Sequence, residues 1–145
     1  MSATDVTEFF LSHRGRCFEA WKAENIEPYV LVNIVRKHVF AARNSVGGIG
    51  IVAIAWLKNA ANILADDAEG FSQFSWGFYP KNGDSILIAD VAGDRKLMPE
   101  ILKQVMAHWP DSPRKKLFTY RRGKLVELSW QTVMRFTYGK LAVHS

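Results

Sequence analysis

A run of apolar residues that ends on a carboxylate constrains this chain more than any other stretch. Gly83-Asp84-Ser85 reads as a turn, and Ile86-Leu87-Ile88-Ala89 follows it and stops at Asp90. Apolar residues in unbroken succession, bounded by turn chemistry, suit a strand that is buried on both faces. A carboxylate at the end of such a strand must be paired, hydrogen-bonded or used, because an uncompensated buried charge is strongly unfavourable. Two roles fit Asp90: a cap on the turn that follows, or a catalytic group displayed at the strand end. Asp84, ahead of the strand, reads as a turn residue.

Turn and cap residues divide the rest of the chain around that strand. Thr4 to about Ala23 reads as helix, interrupted near Gly15, with Ser2 or Thr4 as N-cap and Phe9, Phe10, Cys17, Phe18 and Trp21 as its apolar stripe. From Tyr29 to Val35 the spacing of Val30, Leu31, Ile34 and Val35 is helical, yet β-branched residues dominate; helix and strand both remain open. His38 to Arg43 and Ile49 to Leu57 form the clearest hairpin, around Asn44-Ser45-Val46-Gly47-Gly48. Asn59 to Ala68 suits a short helix. The aromatic stretch from Gly70 to Asn82 is expected to hold a further strand. After Ala92-Gly93-Asp94 a helix is expected from about Leu97 to Trp109, with Pro99 in its first turn and Ile101, Leu102, Val105, Met106 and Trp109 inward. Pro110-Asp111-Ser112-Pro113 ends it. Lys116 to Tyr120 and Leu125 to Trp130 read as a second hairpin around Arg121-Arg122-Gly123, and a short helical tail begins at Gln131. The resulting class is α+β: a mixed or antiparallel central sheet flanked by helices.

With 145 residues, 48% of them hydrophobic, the chain suits one domain over residues 1–145. A lone cysteine, Cys17, excludes an internal disulfide and fits a reducing compartment. Met1-Ser2-Ala3-Thr4-Asp5 lacks the basic start and apolar core of a signal peptide, and the longest apolar run, Ile49 to Leu57, is too short to span a bilayer. A cytoplasmic protein is expected. The net charge is +5, and Arg114, Lys115, Lys116, Arg121, Arg122 and Lys124 crowd within eleven positions. Such a surface favours an acidic partner: a nucleic acid, an acidic carrier protein or a phosphorylated cofactor. His38, His108 and His144 stand at no metal-ligand spacing with acidic or cysteine residues, so no metal site is expected.

Gly83-Asp84, five residues, Asp90, then a turn and a helix ending in Trp109-Pro110 resemble the RTX toxin-activating lysine acyltransferases. Phe40-Ala41-Ala42-Arg43 and Ile51 to Trp56 are similar to that family's preceding strand pair, with Leu57 where the family has a small residue. The family's functional histidine lies in a Leu-His-Arg context on the first helix. Here the sequence is Leu11-Ser12-His13-Arg14, which points to His13 with one serine inserted. Ala92-Gly93 replaces the family's Ala-Pro. The resemblance covers roughly residues 11 to 127, by spacing and pattern more than by identity.

The resemblance implies a GNAT-like fold, in which a pantetheine arm binds where two central strands splay apart. It implies acyl transfer from a thioester donor, acyl-acyl carrier protein or acyl-CoA, to a protein lysine. His13 would act as base or transient acyl carrier, and Asp90 would orient or polarise it. Arg95, Lys96, Arg114, Lys115, Arg121 and Arg122 would bind the acidic carrier. Gly93, the lone glycine before Asp94-Arg95-Lys96, makes a poor loop for a coenzyme A pyrophosphate, whereas the family takes its acyl chain from a carrier protein. A homodimer is compatible with this scheme. Two other readings compete. One is a GNAT-like binding or structural module, of a phage-related kind, that has lost catalysis. The other is a nucleic-acid binder using the basic hairpin, with Phe118 and Tyr120 as stacking residues. Cys17, four residues from His13, also raises a Cys–His pairing, against which Phe18 and Trp21 argue for simple core burial.

Overall fold

Every residue of the strand Ile49–Lys58 after its first is buried, and the molecule is organised around that strand. A computed structural model describes residues 2–13, 23–69, 83–121 and 124–135. The elements are α1 (Ala3–His13), α2 (Ala23–Val35), β1 (Val39–Arg43), β2 (Ile49–Lys58), α3 (Ala60–Glu69), β3 (Ser85–Gly93), α4 (Met98–His108), β4 (Lys116–Arg121) and β5 (Lys124–Leu128). Short 3-10 turns precede α4 and β4, and helical turns follow over 130–135. The strands form one sheet in sequence order; every neighbouring pair is antiparallel except β3–β4, which is parallel. The fold is therefore α+β with a mixed five-stranded sheet. The expected strand between Gly70 and Asn82, and the residues Cys17, Arg122 and His144, lie outside the described residues.

The sheet is covered on both faces. Val52, Ile54, Trp56, Leu87 and Phe118 pack with Val6 and Phe10 of α1, Ile26, Tyr29 and Val30 of α2, and Ile63 of α3. On the opposite face Ile51, Ala53, Ala55, Ile86, Ile88 and Leu117 meet Ile101, Leu102 and Val105 of α4. Burial of such large aliphatic and aromatic groups, roughly 1.5–3 kcal/mol each, supplies the main driving force.

The helices follow local chemistry. The Ser2 hydroxyl accepts from the Asp5 amide at 3.1 Å and caps α1. In α2 the buried residues Ile26, Tyr29, Val30 and Asn33 stand at helical spacing, which settles Tyr29 to Val35 as helix in spite of its β-branched content and of Pro28 within the element. That helix ends where Lys37 adopts φ 61°, while His38 N–H reaches Asn33 O at 2.8 Å and Lys37 N–H reaches Ile34 O at 3.0 Å. These paired bonds satisfy the last free carbonyls. Asp84 looks back across the sheet: its Oδ1 accepts from Ala60 N–H and from the Ser85 hydroxyl, both at 2.8 Å, and so caps α3. Those bonds hold its carboxyl below the usual range.

Candidate active site

Two features of β3 shape the site. The first is a bulge. Ile54 pairs with Asp90 and Ala55 pairs with Ile88, so Ala89 has no partner on β2. In a regular strand Asp90 would share the face of Ile86 and Ile88, because side chains alternate. The extra residue turns Asp90 to the other face, toward α1 and α2. The second feature follows it immediately. The parallel ladder runs only from Ser85–Lys116 to Ile88–Thr119, although β3 continues to Gly93 and β4 to Arg121. Beyond Ile88 and Thr119 the two strands no longer pair with each other, which leaves a gap in the ladder. Thr119 Oγ1 donates to Ile88 O at 3.3 Å at the base of the gap. Ala89 and Asp90 border it from β3, and Tyr120 and Arg121 from β4.

Asp90 is half-buried, and its Oδ2 accepts from the Tyr29 hydroxyl at 2.5 Å. Charge-assisted bonds of that length are among the stronger ones in proteins. Sequence reasoning singled out Asp90 but passed over Tyr29, which lies 61 residues away on α2. Its apolar neighbours mark it only as a core residue.

His13 ends α1 and is exposed. Its ring stacks on Phe9 at 4.3 Å, and its Nδ1 lies 3.2 Å from Phe9 O. Both contacts are with Phe9 of its own helix and neither is with Asp90, whose Oδ2 is bonded to Tyr29; only the direction of α1 relates His13 to β3 and β4. Asp5 lies beside Ala41, Arg43 and Ile49 at the β1–β2 end, and Phe9 abuts Gly93 of β3. The helix therefore crosses the sheet in the direction of β4, and His13 stands one turn, ~6 Å, beyond Phe9. Gly93 has φ 112°, and a side chain there would collide with the Gly50 carbonyl and the Phe9 ring. Only glycine meets both conditions easily.

Four amides of the segment after β3 are already bonded. Asp94 N–H donates to Gly50 O at 2.8 Å and Leu97 N–H to Asp94 O at 3.0 Å. Lys96 N–H donates to Asp94 Oδ1 at 3.0 Å, and the Met98 amide to Arg95 O. Pro99 has none to offer. A pyrophosphate would find few backbone donors here and a carboxylate in their midst.

The cations expected to form one patch occupy two ends of the sheet. Arg95 and Lys96 follow β3, and Arg121 and Lys124 flank the β4–β5 turn; all four are exposed at the end where the parallel strands part. Arg114, Lys115 and Lys116 lie at the other end of β4, roughly 17 Å away for a six-residue strand. There Lys115 Nζ donates to Gly83 O at 2.6 Å and lies 3.4 Å from Asp111 Oδ2. A recess of about 210 Å³ lined by Asp5, Ala41, Ala42, Arg43 and Ile49 lies along β1 and does not include Asp90. Among the described residues no helix is long and apolar enough to cross a membrane.

Comparison with protein-family models, with curated proteins and with solved structures finds no match for this chain.

Proposed function

We propose that the protein transfers an acyl group from a phosphopantetheine-borne thioester to the amine of a protein lysine. The observation that carries this reading is the parting of β3 from β4 beyond Ile88 and Thr119, with the bulge at Ala89 turning Asp90 beside the opening. A parted parallel pair exposes backbone groups at which an extended amide-bearing arm can bond as a short strand. The expected resemblance to the toxin-activating lysine acyltransferases, and through them to the GNAT superfamily, assigns the same use to such a gap.

In this reaction the lysine nitrogen attacks the thioester carbonyl, its N–C bond forms, and the C–S bond breaks. His13 takes the proton that the amine loses, and the departing thiolate is protonated in turn. An acyl group held briefly on His13 reaches the same product in two steps. Asp90 stabilises the imidazolium by its charge. The donor in this reading is an acyl carrier protein, because the amides of Asp94, Lys96, Leu97 and Met98, which a coenzyme A pyrophosphate would need, are already bonded.

The test is intact-mass detection of acyl transfer from acyl-loaded carrier protein to a lysine-bearing protein. The wild type is expected to add one acyl group per modified lysine. Asp90→Asn and His13→Ala are each expected to lower the rate by about 100-fold or more, within the range general acid–base groups supply. No transfer from acyl carrier protein or acyl-CoA would overturn the proposal. The bonded loop amides also favour a second reading, a module of this architecture without chemistry; it is distinguished by carrier binding in the absence of any acyl transfer.

A further inference from the structure

The hydroxyl of Tyr29 touches the Asp90 carboxylate beside the parted strands, and the position of Tyr29 is itself held by further contacts. Tyr29 is 1% exposed. Its ring meets the Trp56 ring edge-on, with centroids 6.0 Å apart. Its backbone carbonyl accepts from Asn33 Nδ2 at 2.9 Å. Asn33 Oδ1 in turn accepts from Trp56 Nε1 at 2.5 Å. Tyr29, Asn33 and Trp56 thus form a triangle in which α2 and β2 hold each other, and the Tyr29 hydroxyl leaves that triangle toward β3.

Asp90 stands where such a constraint has an effect. It sits at a bulge, where the ladder that fixes a strand residue is interrupted, and it is half-buried at an opening. A short carboxylate side chain there has rotamers to choose among. The 2.5 Å bond to Tyr29 favours one of them and turns Oδ2 to the interior. A site residue is useful when its orientation is set before the substrate arrives, and groups behind it commonly set it.

We infer that Tyr29 is a positioning residue for Asp90, fixing from α2 the orientation in which the carboxylate is presented at the gap between β3 and β4. This rests on the acyl-transfer reading above. Tyr29→Phe keeps the ring on Trp56 and removes only the donated hydrogen bond. The expected result is a fall in kcat of about 10- to 100-fold, the usual loss when a group behind the reacting residues is removed, with KM for the acyl donor within about twofold of wild type. Val105→Ala, on the α4 face of the sheet, is the destabilised control and is expected to keep kcat at its own lowered melting temperature. The second readout does not need turnover. In protein labelled with carboxyl-¹³C aspartate, the Asp90 resonance, identified by its loss in Asp90→Asn, is expected to move between wild type and Tyr29→Phe. An unmoved resonance overturns the inference. So does a kcat that stays at the wild-type level, or one that falls no further than Val105→Ala at matched melting temperature. A wild type that transfers no acyl group, together with a resonance that moves, overturns the acyl-transfer reading and with it any role of Tyr29 in that reaction, while leaving the Tyr29–Asp90 contact established.

Discussion

His38 lies against the C-terminal end of α4, its ring 5.7 Å from that of Trp109 and only 4% exposed. Burial, then the neighbouring His108 and Arg36, lower its pKa from 6.5 to about 4. The folded protein therefore resists a proton that the unfolded chain accepts below pH 6.5. Stability is unaffected above that value, declines as pH falls from 6.5 toward 4, and levels off below, where both states are protonated. The integrated loss from this residue at pH 5 is about 2 kcal/mol relative to pH 7.5. Urea unfolding at those two pH values is expected to show that difference in the wild type and to lose most of it in His38→Gln, whose side chain does not titrate. An undiminished difference in the variant would assign the acid sensitivity to other groups. Asp84 acts in the same pH sense. Its carboxyl is held low by the Ala60 amide and the Ser85 hydroxyl, so its capping of α3 is present at neutral pH and is lost as pH falls through its folded value.

Among the elements, β3 decides what the molecule can do, and one residue decides β3. Removal of Ala89 would leave Leu87, Ile88, Asp90, Val91 and Ala92 alternating between the faces that they occupy now, with Ile54 still opposite Asp90 and Ala55 opposite Ile88. The shortened strand satisfies every pairing of the present one and lacks only the bend. Deletion of Ala89 is therefore expected to fold, with a melting temperature within a few degrees of wild type or above it. Straightened, the strand would continue its ladder with β4 past Thr119 and close the gap, so acyl transfer should disappear while circular dichroism stays native. A deletion variant with full activity would show that the bend has no part in the chemistry. The same residue marks the limit of what was legible. Both hairpins, the Ser2 cap, Pro99 at the start of α4 and the buried strand leading into Asp90 follow from neighbours within a few positions, and the sequence displays them; the strand does not end on Asp90, however, but pairs on with β2 as far as Gly93. The face that Asp90 takes is not displayed, because the bulge exists only in the pairing with β2. Tyr29 and the α3 cap by Asp84 were equally hidden, since each partner lies on a different element, 61 and 24 residues away. His13 was legible as a histidine on the first helix, and its place at the end of α1 comes only from the structure.

At the scale of the whole molecule, the net charge of +5 matters less than its distribution. The sequence packs six cations into eleven positions, but a strand runs through the middle of that stretch and separates them. Arg121 and Lys124 join Arg95 and Lys96 where the parallel strands part, whereas Arg114 and Lys116 stay exposed at the far end. An acidic carrier that inserts its arm into the gap must bring its body against the first group and keep away from the second. The separation, roughly 17 Å along β4, exceeds the screening length of about 8 Å at physiological ionic strength, so the two groups act nearly independently on an approaching protein. Charge reversal at the near end, Arg121→Glu with Lys124→Glu, is expected to slow association with acyl carrier protein by about tenfold or more at low salt, chiefly through the association rate constant. Arg114→Glu with Lys116→Glu changes the net charge equally and is expected to alter that rate by less than about twofold. The difference between the pairs should shrink toward nothing near 1 M salt, where the screening length is about 3 Å. Equal effects from the two ends would mean that the carrier responds to total charge, and the parted strands would then lose their claim as its docking point. A larger effect from the far pair would move the search for a partner to the Lys115 end of the sheet.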